Sequence, residues 1–165
     1  MPKSSPVVLK KVTLSLPFGI GGVEMEPDST ERDAAWELYV ELVTRVAVQS
    51  LNPQKGLVRE AMNSLYSLFG STRQILRKAG PGVGASHDSV GGIAIAVLNN
   101  GLRPFLSKWH PLLQEWEEQK IDGVSPQAHE RAWDKEMTAR GELDALRSDL
   151  AKYAEALGAI CGVEE

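Results

Sequence analysis

Arg103 and His110 are the two residues of this 165-residue chain whose types and spacing could support a reaction. Histidine is the side chain that changes charge close to neutral pH, so it can take up and release protons there. The guanidinium group of an arginine can stabilise the negative charge that develops on a reacting phosphate. Six residues separate the two positions in the sequence. The pair therefore predicts a site that could act on a phosphate ester.

This spacing resembles the signature of HEPN ribonucleases, in which four to six residues separate an arginine from a histidine. The resemblance implies a small helical bundle that works as a dimer and cleaves RNA without a metal ion, with Arg103 and His110 as catalytic residues. Pro104 departs from the family pattern, which usually has a polar residue there. In the alternative interpretation, Arg103 is a surface or salt-bridging residue and His110 lies at a helix break before Pro111.

Other common catalytic and binding motifs are incomplete. The glycine-rich segment 80–87 lacks the lysine of a phosphate-binding loop, and segment 19–22 lies between two predicted strands. The histidines lack the spacing of zinc or di-iron sites, and a single cysteine, Cys161, cannot form a thiolate zinc site. We therefore predict no metal ion and no cofactor.

Composition predicts a cytoplasmic protein. The net charge is −4 and the basic residues are scattered among acidic ones, which makes nucleic acid an unlikely partner. The single cysteine excludes an internal disulfide, as in a reducing compartment. The N-terminus lacks the apolar run of a signal peptide, and no stretch approaches the roughly 18 apolar residues of a membrane helix.

The pattern predicts a single domain over 7–165 after a flexible N-terminus of residues 1–6. Apolar residues alternate with polar ones on both sides of Pro17 and a glycine-rich turn, which predicts a β-hairpin over 7–26. Helical periodicity, capping residues and prolines then predict a mainly α four-helix bundle. Its third helix is expected to be kinked or split at Pro104 and Pro111. The four predicted helices span 28–50, 53–79, 89–120 and 126–160.

Two sets of apolar residues could either form the core or bind a partner. The last predicted helix has a heptad-like seam, which either packs on the bundle or binds a partner helix. Trp109 and Trp116 lie seven apart on one helical face, which is typical of core residues or of interface anchors. Any exposed tryptophan would mark a binding surface. The seam consists of Leu143, Leu146, Leu150, Tyr153 and Leu157.

The resulting functional prediction is a non-enzymatic interaction module. We expect an adaptor, regulatory or accessory subunit of a bacterial cytosolic complex, with defence and signalling as candidate settings. It would bind a protein partner, or itself as a homodimer, through the helical seam or the hairpin edge. The alternative is the HEPN-like ribonuclease that uses Arg103 and His110.

Overall fold

A computed structural model describes residues 11–45 and 56–163 of the chain. The described chain is mainly helical, with a two-stranded antiparallel hairpin at its N-terminal end. The predicted flexible terminus 1–6 and the predicted start of the hairpin at residue 7 lie outside the described residues. The first two helices are shorter at their connection than predicted: the first ends at Val43 and not at 50, and the second begins at Val58 and not at 53, because Leu57 before it is extended.

The hairpin consists of β1 (Val12–Leu16) and β2 (Gly21–Met25). Leu14 lies opposite Val23 in the antiparallel register. The predicted alternation is confirmed, because every second residue is buried on one face: Leu14, Leu16, Val23 and Met25. This face packs on the helical body.

The first two helices are α1 (Ser29–Val43) and α2 (Val58–Ala79). Asp28 caps α1, since its carboxylate accepts a hydrogen bond from the backbone N–H of Glu31 at 2.8 Å. The Glu31 carboxylate does not close a capping box but accepts from the N–H of Val90, 3.2 Å away. The predicted end of α2 is confirmed at Gly80, whose φ of +91° favours glycine.

The third predicted helix consists of α3 (Val90–Ala96), a π-helical segment (Val97–Leu102) and α4 (Arg103–Glu117), which follow one another without a break. The predicted split at Pro104 and Pro111 is not found. The π-helical segment ends just before Pro104, which therefore lies in the first turn of α4. Because the helical segments are continuous, Pro104 removes one intrahelical donor, and the change from i→i−4 to i→i−5 bonding in the π-helical segment directly before it accommodates this proline. Pro111 lies inside α4, which continues through it.

The fourth predicted helix is divided into α5 (Pro126–Arg131) and α6 (Glu136–Cys161). The chain turns at 132–135, where Trp133 is buried edge-to-face against Trp109 with 5.9 Å between ring centroids. Burial of this indole requires the turn, which helical periodicity alone did not predict. The predicted start at residue 126 is confirmed, and Ser125 caps α5, since its hydroxyl accepts from the N–H of Ala128 at 3.1 Å.

The core lies where α1 packs against α6 and α2, and β1 packs on α6. Helix α2 also contacts α4, so its surface is shared between a neighbour on each side. Within 11–45 and 56–163, no helix is long and apolar enough to span a membrane.

Candidate functional site

The predicted seam of α6 lies in the core of the chain itself. All five of its residues are buried, and α6 packs through this side against α1 and β1. Burial also raises the pKa of the Tyr153 hydroxyl. In the folded chain these side chains are therefore inaccessible to a partner. The residues are Leu143, Leu146, Leu150, Tyr153 and Leu157.

Trp109 and Trp116 both make structural contacts within the chain. Trp109 is buried, and its indole N–H donates to the Glu142 carboxylate at 2.5 Å. Trp116 is half-buried and stacks on His129 with 4.5 Å between centroids. Its indole N–H donates to the backbone carbonyl of His129 at 2.7 Å, which ties α4 to α5. The indole N–H groups of both tryptophans are therefore occupied by partners within the chain.

Trp36 on α1 is the tryptophan that is substantially exposed, at 49%. It stacks on Tyr39, with 6.0 Å between ring centroids. Trp36 and Val40 line an open groove of about 380 Å³ between α1 and α2. The ion pair of Glu37 with Lys78 crosses this groove at 2.9 Å. Exposure alone does not indicate which partner would occupy it.

Arg103 and His110 lie on the face of α4 that is turned towards α2. The Arg103 guanidinium lies over the Phe69 ring, 5.2 Å from its centroid. His110 makes an edge-to-face contact with Tyr66, with 5.5 Å between centroids. Their positions are seven residues apart, or about 10 Å along the helix axis. The two side chains therefore share one seam but contact different aromatic rings of α2.

Arg59 determines what His110 can do. A terminal nitrogen of its guanidinium lies 3.0 Å from Nδ1 of His110. Because arginine can only donate, Nδ1 must accept, and the neutral ring carries its proton on Nε2. The same guanidinium also pairs with the Glu117 carboxylate, at 3.0 Å from Nε and 2.6 Å from Nη2. His110 thus presents a donor to the seam and lacks the free lone pair of a general base.

Glu130 stabilises the N-terminus of α2. It is 5% exposed, and its carboxylate accepts from the backbone N–H of Val58 at 2.7 Å. Burial raises the pKa of Glu130, whereas the hydrogen bonds from the backbone N–H groups of Val58 and Arg59 oppose this shift. Arg140 lies 3.4 Å from the same carboxylate and donates to the carbonyl of Gly56 at 2.5 Å. This network fixes the helix that carries Arg59.

A cavity of about 180 Å³ lies beside this network, between α2, α4 and α5. Its polar lining groups already have partners. Arg59 is paired with Glu117, and Lys120 donates to the carbonyl of Val124 at 2.8 Å. The cavity therefore offers mainly apolar walls and few polar groups to recognise a ligand.

Arg73 and Arg103 converge on Phe69 from two different helices. Their central carbons lie 5.8 and 5.2 Å from the centroid of the same ring, and so at most 11 Å from each other. Among the described residues, no carboxylate lies within ion-pair distance of either guanidinium. The two cations thus lie within 11 Å of each other, and no carboxylate of residues 11–45 or 56–163 pairs with either.

The surface around these arginines contains few acids. Between Glu60 and Glu115 the sequence has five basic residues but one acidic residue, Asp88. The basic residues were interpreted as scattered, but this excess of basic over acidic residues in one long segment was a signal that could have located the site. We call this surface the basic face. It comprises Tyr66, Phe69, Arg73, Arg77, Asn99 and Arg103.

The π-helical segment and the hairpin position Arg103. Asn99 in that segment accepts a hydrogen bond from Nε of Arg103 at 3.3 Å. The Phe18 ring, in the hairpin turn, packs directly on Gly101, where a Cβ would lie 2.7 Å from ring atoms. The wider turn of a π-helix is frequent at functional sites. Here it sets the orientation of the arginine at the start of α4.

Across 11–45 and 56–163, no cluster of three or more His, Cys, Asp or Glu side chains could hold a metal ion. The function is therefore inferred from the chemistry of the basic face. No protein-family model, no curated protein and no solved structure matches this chain.

Proposed function

We propose that this chain is a non-enzymatic interaction module that binds an acidic partner through the basic face. The observation that carries this proposal is the convergence of Arg73 and Arg103 on Phe69, where no carboxylate of the described residues pairs with either arginine. An anion that lies between the two guanidinium groups would be attracted by both. An acidic group of a partner would complete the site and form charge-assisted hydrogen bonds with both guanidinium groups.

Local charge supports the proposal although the net charge of the chain is −4. Charges further apart than a Debye length, about 8 Å at physiological ionic strength, are largely screened from one another. Several acids elsewhere are held by cations of the chain, such as Glu142 by Lys108 at 2.6 Å. An approaching anion therefore meets mainly the arginines, while the acidic remainder disfavours non-specific binding.

The contacts of His110 favour binding over catalysis. The ribonuclease alternative needs a histidine that can accept a proton, but Arg59 already occupies the accepting nitrogen. Arg103 is held on Phe69 rather than beside His110. We expect the chain to leave single-stranded RNA intact. RNA cleavage that is lost in His110→Ala would contradict the non-enzymatic proposal.

The proposal is tested by binding of two labelled anionic probes, an oligo-glutamate peptide and a single-stranded oligonucleotide, measured by fluorescence anisotropy. We expect at least one probe to bind, and the Arg73→Gln/Arg103→Gln variant to bind it at least tenfold more weakly. Both arginines are exposed, so these changes should leave the fold intact, which circular dichroism checks.

The matched control is Lys11→Gln/Lys152→Gln, which removes the same charge from side chains that are 60% and 61% exposed on other surfaces. Its affinity should stay within about twofold of wild type. Failure of both probes to bind, or equal weakening in both double variants, would overturn the proposed function.

A further inference from the structure

We propose that the basic face is a site for single-stranded nucleic acid, in which Arg73 and Arg103 hold one backbone phosphate and Tyr66 stacks on a neighbouring base. This inference rests on the proposed function and specifies the acidic partner. It is argued from the separation of the two guanidinium groups, the exposure of Tyr66 and the polar side chains around them.

The arginine pair suits a phosphate group. A phosphate that bridges two guanidinium groups through hydrogen bonds of ordinary length holds their central carbons about 8 Å apart. The upper limit of 11 Å set by the Phe69 ring accommodates this separation. Asn99 occupies Nε of Arg103, so the terminal nitrogens remain for the ligand. Phe69 is only 8% exposed, so it serves as the floor under the two cations and cannot stack on a base.

Tyr66 supplies the surface for a base. It is 42% exposed and lies three residues before Phe69, about 5 Å along the axis of α2. Its edge-to-face contact with His110 holds the ring at the seam. Stacking on an aromatic ring needs an unpaired base, which favours a single strand over a duplex.

The rest of the exposed surface of α2 is compatible with such a ligand. Between Glu60 and the end of α2 it carries no carboxylate that would repel a backbone phosphate. Arg77 lies one turn beyond Arg73, where it could meet the next phosphate. Asn63 is also exposed on α2, and its amide can form hydrogen bonds with a base or a sugar.

The test measures anisotropy of a labelled oligo-dT of about twelve nucleotides, within the site sizes of single-strand binders. Arg73→Gln/Arg103→Gln should weaken binding at least tenfold and reduce the slope of log affinity against log salt by about 0.7, the value for one phosphate contact on a single strand. Tyr66→Ala should weaken binding about fivefold or more, because the base loses its stacking partner. Tyr66→Phe keeps the ring and should bind within about twofold of wild type.

The outcomes separate this inference from the proposed function. Binding of oligo-dT that depends on the arginines and on the ring of Tyr66, and that exceeds binding of an oligo-glutamate of equal charge, supports the inference. Binding of oligo-glutamate but not of oligo-dT would overturn the inference. Binding of oligo-dT that stays unchanged in Arg73→Gln/Arg103→Gln, or that stays unchanged in Tyr66→Ala, would also overturn it. In the first of these cases the proposed function stands. Failure of both probes overturns both.

Discussion

Replacement of Glu130 by alanine is expected to lower the free energy of unfolding by about 3 kcal/mol. The substitution removes the buried carboxylate that accepts from the N–H of Val58, and no other side chain among the described residues caps α2. It also leaves Arg140 without one of its two carboxylate partners. Urea denaturation followed by circular dichroism measures the effect. Glu155→Ala, at an exposed position of α6, is the control and should change stability by less than about 0.5 kcal/mol.

The pH dependence of the Glu130 variants tests the same account. The pKa of Glu130 is raised in the folded chain, so the folded state binds this proton more tightly than the unfolded state. The stability that this proton binding contributes is present at low pH and is lost as the pH rises from about 4.5 through the raised pKa. Glu130→Gln cannot titrate and should therefore gain stability relative to wild type over that window. A stability difference that is the same at every pH, or a loss in Glu130→Ala no larger than in Glu155→Ala, would contradict the assignment.

Replacement of Gly92 by alanine should lower the free energy of unfolding by about 3 kcal/mol. A Cβ at this position would lie 2.1 Å from the backbone carbonyl oxygen of Ser86. The contact is to main chain in the turn that leads into α3, so no side chain can move aside to relieve it. The start of α3 or the preceding turn would have to shift. Thermal or urea unfolding of the variant measures the cost.

Gly70→Ala is the matched control for Gly92→Ala. Gly70 lies in the middle of α2, and a Cβ there meets no atom within 4 Å. Because alanine favours the helix over glycine, this variant should be more stable than wild type by up to about 1 kcal/mol. If Gly92→Ala proved as stable as wild type, the packing of α3 against the preceding turn would be wrong.

Features that depend on neighbouring residues could be predicted from the sequence. The alternation around Leu14 and Val23 gave the hairpin its register, and Asp28, Ser125 and Gly80 mark real helix ends. Each of these signals acts within a few residues of the chain. The period-two pattern and the caps were sufficient because no distant contact competes with them.

Features that depend on distant contacts could not be predicted in the same way. The cap of α2 comes from Glu130, 72 residues away from Val58, and no pattern around either residue points to the other. The break before α6 arises because Trp133 packs on Trp109. Glu31 has the spacing of a capping box but bonds to the N–H of Val90 instead. In each case a contact between residues that are distant in the sequence determines which local structure forms.

The candidate site combines features that could be predicted from the sequence with features that could not. Sequence spacing singled out Arg103 and His110, and the structure places both on the seam between α4 and α2. Their partners, Phe69 and Arg59, lie on a different helix, so the chemistry of the pair could not be derived from spacing. Arg73 was not singled out at all, because its relation to Arg103 exists only once the two helices pack together.

The most direct test of the basic face is the change in backbone amide NMR signals when the tighter-binding of the two anionic probes is added. The proposal predicts that the shifted signals cluster at residues 63–77 of α2 and 95–103 of the facing helix. Residues of α1 and of the exposed side of α6 should remain unchanged. Shifts centred on α1 or α6, or no shifts with either probe, would contradict the central claim that this face binds an acidic partner.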